Sequence, residues 1–142
     1  MKIEFTIPGP PQGKARPRVV RMKNGASVSY TPDKTVQYEE LVRLRFMSAA
    51  TGQRFPDDTA LRMTIISGFP IAKSKSKKLQ AAMLSGAIRP TKKPDSDNIV
   101  KIICDALNGF AYKDDAQVAE IVLSKKYVAG VGETFVRIEY AR

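Results

Sequence analysis

The sequence predicts an α+β domain in which helices pack on a mainly antiparallel sheet of about four strands. Several segments alternate apolar and polar residues as strands do, and other stretches carry signals for the start and the end of a helix. No repeat, low-complexity linker or change of composition divides the chain. Its 142 residues are therefore expected to form one domain, residues 1–142, around a single core.

Four segments show the alternation of half-buried strands. In the first of them, Ile3, Phe5 and Ile7 lie on one face and polar residues lie on the other. The last two segments are separated by Gly130 and Gly132, a spacing that is typical of a hairpin. The predicted strands are residues 2–7, 61–66, 118–127 and 134–140.

The first predicted helix begins near Thr31. A threonine is suited to the N-cap, Pro32 to the first helical position, and the early acid Asp33 is favoured by the helix dipole. The helix is expected to run to about Ala50, just before a glycine. Between the first strand and this helix, a segment rich in glycine, proline and arginine is expected to form an irregular arm that extends through Arg21.

Two further helices are expected between the second and third strands. The first is a short basic helix, capped by Ser74 or Ser76 and ending near Gly86. The second begins after Pro94 and is stopped at Gly109. Most of its residues are apolar, so it is expected to be largely buried, with one polar stripe facing solvent or a cleft.

The composition excludes several kinds of chemistry. The chain has no histidine, which rules out imidazole zinc sites and serine–histidine triads, and its one cysteine, Cys104, has no partner for a disulfide and is expected to be a core residue. No apolar run is long enough to span a membrane, and the first residues alternate like a strand, unlike a secretory leader. The chain is therefore expected to stay in the cytoplasm.

The charges are unevenly distributed along a chain whose net charge is +10. No acid occurs between Phe5 and Pro32 or between Thr59 and Pro94, whereas a dense group of aspartates follows directly. A basic chain of this kind favours a polyanionic partner, and carboxylates tolerate such a partner when a divalent cation lies among them. Each basic block alone is equally typical of a solvated face.

The acidic helix carries the most informative polar pattern. Asp97, Lys101 and Asp105 are spaced four residues apart and share one helical stripe. Asp95 stands at the helix entrance, and Asp115 lies in the following loop. Several carboxylates without histidine or thiol suit Mg²⁺, with Mn²⁺ as a substitute, and phosphodiester hydrolysis is the expected chemistry, with Lys101 stabilising the developing charge.

A simpler interpretation remains open for each of these residues. Asp95 or Ser96 could cap the helix, Asp97 and Lys101 could form an ordinary ion pair, and the two aspartates of the loop could mark a turn. Taken residue by residue this interpretation is the more common one. It leaves unexplained why the acids gather in the most basic part of a basic chain.

The same region resembles a known family. It contains the string Asp95-x-Asp97-Asn98-x-x-Lys101-x-x-x-Asp105-Ala106-Leu107, followed by Asp114-Asp115-Ala116-Gln117-Val118. This string resembles the signature of the RusA family of Holliday junction resolvases, and the likeness extends to residues 8–18 and to the helix start at residues 30–32. Members often occur in phage or prophage genomes, so the resemblance implies such an origin.

The resemblance implies a homodimer that binds four-way DNA junctions and nicks two strands symmetrically with Mg²⁺. Asp95, Asp97 and Asp115 match the metal-binding catalytic acids of the family, and Lys101 matches its catalytic lysine. Asp105 and Asp114 also match, and we expect them to support the metal-binding acids without binding the metal themselves. The residues expected to contact DNA are Lys14, Arg16, Arg18, Arg21, Lys92 and Lys93.

Two other functions compete with this one. A non-catalytic basic module that binds nucleic acid would use the aspartates only to balance charge. The second competitor is a metal nuclease of another class, such as a PD-(D/E)xK enzyme. Pro94-Asp95 matches the first half of that motif, but none of the glutamates Glu120, Glu133 and Glu139 is followed by the required x-Lys.

Overall fold

Six strands and three helices follow one another along the chain, which a computed structural model describes over residues 1–142. The strands are β1 (Lys2–Pro8), β2 (Arg18–Arg21), β3 (Ser27–Tyr30), β4 (Leu61–Pro70), β5 (Val118–Val128) and β6 (Glu133–Tyr140). The helices are α1 (Asp33–Ala50), α2 (Lys77–Ser85) and α3 (Ser96–Leu107), with one 3₁₀ turn at Asp115–Gln117. None of the helices is long and apolar enough to cross a membrane.

The main sheet has four strands in the order β1-β6-β4-β5. Strand β6 pairs antiparallel with both β1 and β4, whereas β4 and β5 run parallel. Two of the three pairings are therefore antiparallel, and the predicted α+β class with a mainly antiparallel sheet of four strands is confirmed. The parallel pair is connected through α2 and α3, because parallel neighbours need a long crossover.

The predicted hairpin of the last two strands is wrong, because β4 lies between β5 and β6. Their connection, residues 129–132, crosses the end of β4 over two strand spacings, roughly 9.6 Å, which four residues can span. The crossing is tight: a side chain at Gly132 would lie 3.0 Å from the carbonyl oxygen of Gly68. Gly132 also has a φ of +92°, which favours glycine.

Helices α1 and α3 cover one face of this sheet and form the core with it. The alternation in β1 buries Ile3, Phe5 and Ile7 as predicted, and the apolar sides of both helices meet them. Helix α3 buries Ile102, Ile103 and four further residues, so most of its circumference is inside the protein. Each fully buried isoleucine stabilises the fold by about 1.5–3 kcal/mol. Helix α3 is thus a rigid support for whatever its exposed stripe carries.

The arm between β1 and α1 contains a second, two-stranded sheet that the sequence analysis missed. Strands β2 and β3 pair antiparallel, and all eight of their residues are exposed. Their turn is closed by a 3.0 Å hydrogen bond from the Gly25 N–H to the Met22 carbonyl oxygen. Gly25 has a φ of +86°. The signal was Asn24-Gly25, a dipeptide that is typical of hairpin turns.

The helix ends agree with the predictions at two helices and differ at the third. Ser76 caps α2 by accepting a 3.2 Å hydrogen bond from the Leu79 N–H, and α2 ends at Gly86 as predicted. Helix α3 lies within its predicted limits. Thr31 is not the cap of α1: the N-cap is Pro32, and no side chain caps this end. The proline carbonyl already accepts from two helical N–H groups, so the helix starts without a threonine cap.

Candidate active site

The exposed stripe of α3 forms one wall of a depression of about 440 Å³. Asp97, Lys101 and Asp105 line it from the helix, and Asp115 lines it from the 3₁₀ turn. Its apolar lining is Val100, Cys104, Val118, Ile121 and Leu123. The structure therefore brings four of the conspicuous polar residues to one place, over an apolar floor that α3 shares with β5.

Asp95 is not part of the lining of this depression. It is the N-cap residue of α3, but its side chain makes no capping hydrogen bond. Asp97 lies in the first turn and pairs with no lysine, because the Lys101 ammonium lies 3.3 Å from Asp105 instead. The simpler interpretation of Asp97 as the ion-pair partner of Lys101 is therefore wrong, and Asp95 occupies the N-cap position without capping the helix through its side chain. Both carboxylates are exposed and unpartnered.

Asp114 and Asp115 differ although they are neighbours. Asp114 caps the 3₁₀ turn, where its carboxylate accepts a 3.2 Å hydrogen bond from the Ala116 N–H and Gln117 completes a capping box. This is the turn-forming role of the simpler interpretation. Asp115 instead exchanges two hydrogen bonds with Asn108: its N–H donates to Oδ1 at 2.9 Å, and its carboxylate accepts from Nδ2 at 3.5 Å.

Asn108 is a positioning residue that the sequence analysis missed. It is the residue at which α3 ends, and its amide connects that end to Asp115. Asn108 thereby places the Asp115 side chain on the wall of the depression. The available signal was its position directly before Gly109, which marks a helix end, but nothing in the spacing named Asp115 as its partner.

The donors at this depression match a hard divalent cation in their chemistry, because carboxylate oxygen is the ligand that Mg²⁺ and Mn²⁺ prefer. The structure does not gather three acidic side chains around one point. Asp97 lies in the first turn of α3, whereas Asp115 lies in the 3₁₀ turn and is hydrogen-bonded to Asn108, where α3 ends. A common centre for Asp95, Asp97 and Asp115 stays a prediction.

Lys14 connects the arm to α1 and α3. Its ammonium lies 3.3 Å from the carboxylate of Glu39 on α1 and 3.3 Å from that of Asp105 on α3. These three side chains are only 19%, 10% and 24% exposed, respectively. Asp105 therefore bridges two lysines, Lys14 and Lys101, and the network fixes Lys101 above the depression.

The segment around Lys14 fits closely against the start of α3. The Lys14 N–H donates to the Asn98 carbonyl oxygen at 3.0 Å. At Gly13, a side-chain carbon would lie 3.0 Å from the Cβ of Pro94 and 3.2 Å from that of Asn98. Only a glycine allows this approach without moving Pro94 or Asn98. The arm thus helps to define the entrance of α3.

The other basic residues predicted to contact DNA lie at the surface. Arg16, Arg18 and Arg21 on the arm are exposed. Lys92 and Lys93 are exposed just before α3, where the Lys125 ammonium donates to the Lys92 carbonyl oxygen at 2.7 Å. The run from Lys73 to Lys78 is also exposed, partly in the turn before α2 and partly in its first turn.

The floor of the depression is weakly polar. Cys104 is buried, as predicted, and burial raises the pKa of its thiol to about 11. Burial likewise raises the pKa of Tyr112, whose hydroxyl donates to the Cys104 carbonyl oxygen at 3.1 Å. Both groups are therefore uncharged at neutral pH. The charges at the site belong to the aspartates and to Lys101.

Comparison with known proteins decides the family. The family model described as "Endodeoxyribonuclease RusA" matches residues 8–139, nearly the whole chain. The chain belongs to the RusA endodeoxyribonuclease family. Endodeoxyribonucleases hydrolyse phosphodiester bonds within DNA, so RusA membership favours a nuclease over a non-catalytic module or a metal nuclease of another class. The resemblance found in the sequence is thereby confirmed.

The chain also has a relative in Bacillus subtilis (strain 168). The chain is similar to its "Uncharacterized protein YqaN", with 34% identity over 125 residues. The match covers 88% of this chain and 87% of that protein. The similarity therefore extends over most of both chains.

Proposed function

We propose that the chain is a Mg²⁺-dependent, structure-specific endonuclease of one domain that resolves four-way DNA junctions by paired symmetric nicks, with Mn²⁺ as a substitute. The observation that carries this proposal is the depression along α3. It presents the carboxylates of Asp97 and Asp115 and the ammonium of Lys101 on a buried helix, in a RusA-family chain with a net charge of +10.

Asp95, Asp97 and Asp115 are the residues that would hold the divalent ion. When bound, such an ion supplies Lewis acidity and an activated water for phosphodiester hydrolysis. The unpartnered state of Asp95 and Asp97 supports this role, because their oxygens are not committed to other groups. Mutual repulsion among carboxylates opposes their gathering until a cation neutralises them. Asn108 would keep Asp115 oriented toward the depression.

Lys101 would stabilise the negative charge that develops on the phosphate. Its side chain is 61% exposed, so a phosphodiester can approach it, and Asp105 holds its ammonium at 3.3 Å. We assign Asp105 the role of positioning Lys101. Because Lys14 also holds Asp105, Lys14 is assigned to the same support and not to direct phosphate binding.

Phosphate contacts are assigned to exposed cations of the arm and of the segment before α3. They are Arg16, Arg18 and Arg21 on the arm and Lys92 and Lys93 before α3. Such contacts give affinity that is independent of sequence and falls with salt. A homodimer would present two depressions to a junction with approximate two-fold symmetry, and paired incisions would follow. We place this activity in the cytoplasm.

The test uses a synthetic four-way junction and a linear duplex of the same sequence, each incubated with and without Mg²⁺. Asp97→Asn removes a proposed ligand while keeping the size of the side chain. It should lower the nicking rate by on the order of 100-fold or more and should keep or improve junction binding, because one negative charge is lost. Nicking is read on denaturing gels, and binding is measured without a divalent cation.

Asp58→Asn is the matched control. Asp58 is exposed, lies outside the depression and has a φ of +62°, which asparagine tolerates. It should nick at the wild-type rate. Unchanged nicking by Asp97→Asn would remove the proposed centre, and junction binding without cleavage by the wild-type chain in Mg²⁺ or Mn²⁺ would favour the non-catalytic module.

A further inference from the structure

A second concave surface, which we call the arm cleft, lies where the β2–β3 ribbon meets the start of α1. Its volume is about 700 Å³, compared with about 440 Å³ for the depression at α3. Its lining is Gln12, Gly13, Ala15, Arg16, Arg18, Tyr30, Pro32, Asp33, Lys34 and Thr35. None of the proposed metal-binding residues belongs to it, so its chemistry must be explained separately.

Tyr30 gives the arm cleft an exposed aromatic surface. The ribbon pairs Tyr30 with Arg18 and Val28 with Val20, so these four side chains project from the same face of the ribbon. Tyr30 is 45% exposed, and Val20 and Val28 are similarly exposed, so three apolar side chains share one exposed patch on this face. The ring forms no hydrogen bond or aromatic pair within the chain.

The charges around this ring are mainly positive. Arg16, Arg18 and Lys34 are exposed cations that line the cleft and take part in none of the ion pairs of the chain. Asp33 is the one acid in the lining. Three cations against one carboxylate leave a surplus of positive charge beside an aromatic face. This combination is characteristic of sites that bind unpaired nucleic acid strands, where bases stack on aromatic rings and cations hold the backbone.

We infer that the arm cleft binds an unpaired stretch of DNA, with a base stacked on Tyr30 and the adjoining phosphates held by Arg16, Arg18 and Lys34. Base stacking explains why an aromatic residue is left exposed beside the cations of the arm cleft. Duplex DNA is a poorer fit for this site, because its bases are stacked on one another and offer no free face to the ring.

The arm cleft is continuous with the support of the proposed active site. Gly13 lines the cleft and packs on Pro94, the residue before Asp95. The Ala15 N–H donates to Thr35 Oγ1 at 3.4 Å on one side, and the Lys14 N–H donates to Asn98 on the other. A strand held in the cleft would therefore lie next to the start of α3. This inference deepens the proposed function by naming unpaired nucleotides near the branch point as part of the substrate.

The experiment measures the binding of a fluorescently labelled 15-nucleotide oligo(dT) and of a duplex of equal length by anisotropy, in buffer without divalent cations. Tyr30→Leu keeps an apolar side chain on the ribbon and removes the stacking surface. It should weaken oligo(dT) binding by about 5- to 150-fold, which corresponds to about 1–3 kcal/mol per stacked base. Duplex affinity should change by less than about twofold. Tyr30→Phe keeps the ring and should bind oligo(dT) like the wild-type chain.

Phe110→Leu is the matched control, because Phe110 is 44% exposed and lies outside both concave surfaces. It should bind both DNAs normally. Wild-type oligo(dT) affinity in Tyr30→Leu, or an equal loss for oligo(dT) and duplex, would overturn the inference. Because no metal is present, the assay is independent of cleavage: ring-dependent oligo(dT) binding by a chain that nicks no junction would support the cleft and refute the proposed nuclease function.

Discussion

Helix α3 and the β2–β3 ribbon have similar numbers of residues but differ in how much of their surface is buried. Helix α3 buries most of its surface, and its C-cap residue, Asn108, is hydrogen-bonded to Asp115 in the following 3₁₀ turn. The ribbon leaves every residue exposed and pairs mainly with itself. The difference indicates a division of labour in which α3 holds chemical groups in fixed positions and the ribbon offers side chains to a partner.

Lys14 lies at the boundary between these two regions. Although it belongs to the same basic run as Arg16 and Arg18, its ammonium is enclosed by Glu39 and Asp105, whereas the two arginines are free. Residues that look alike in a charge pattern therefore have different functions. Burial decides which basic side chains support the protein and which are available to DNA.

The largest expected effect contrasts a buried residue of α3 with an exposed residue of the ribbon. Ile103→Ala removes a fully buried side chain from α3 and should lower the free energy of unfolding by about 2–5 kcal/mol. Val20→Ala on the ribbon should change it by less than about 0.5 kcal/mol. Urea denaturation followed by circular dichroism measures both. A large loss in Val20→Ala would show that the ribbon is covered in solution, for example by a second copy.

A smaller change in the free energy of unfolding should distinguish Lys14 from Arg16 and Arg18. Lys14→Ala should lower the free energy of unfolding by about 1–3 kcal/mol, because Glu39 and Asp105 lose their shared cation. The double change Arg16→Ala and Arg18→Ala should leave stability within about 0.5 kcal/mol. It should instead flatten the salt dependence of duplex binding by roughly 0.9 per lost phosphate contact.

The two measurements together test the assignment of Lys14. If Lys14→Ala flattened the salt dependence and left stability unchanged, Lys14 would be the phosphate contact that its position in the basic run suggested. If the double arginine variant kept the wild-type salt dependence, the arm would lie outside the DNA interface. In that case the ribbon would not offer side chains to DNA.

The smallest effect concerns the thiol beneath the depression. Burial raises the pKa of Cys104 from 9.0 to about 11, so the folded chain keeps a proton that the unfolded chain loses first. The stability that the neutral thiol contributes is complete below pH 9 and is lost as the pH rises toward about 11. The urea midpoint should therefore fall more between pH 8 and pH 10 in the wild-type chain than in Cys104→Ala. Equal falls would show that the thiol is solvated.

The sequence was most informative where local patterns settle the structure. Alternation identified all four strands of the main sheet, and Ser76 and Gly86 marked the ends of α2. It was least informative about which strands pair, because a glycine-rich connection of four residues serves a hairpin and a crossover equally well. Only the insertion of β4, more than 40 residues away in sequence, distinguishes them.

The sequence predicted which residues of the candidate site lie together, but not all of the side chains that they contact. The spacing of Asp97, Lys101 and Asp105 placed them on one stripe of α3, and the structure agrees. The pair of Lys101 and Asp105 fits this spacing, but the second partner of Asp105 is Lys14 on the distant arm, which also pairs with Glu39 on α1. No periodicity within one segment carries that information.

The position of β6 has a consequence for how the chain acquires its structure during synthesis. This strand comes last in sequence, yet it joins β1 to β4 in the middle of the sheet. While the ribosome is still adding residues before Glu133, β1 has no neighbour and the nascent sheet is incomplete. Native assembly therefore waits until the final strand emerges from the exit tunnel, and until then the exposed edges of β1 and β4 are open to aggregation.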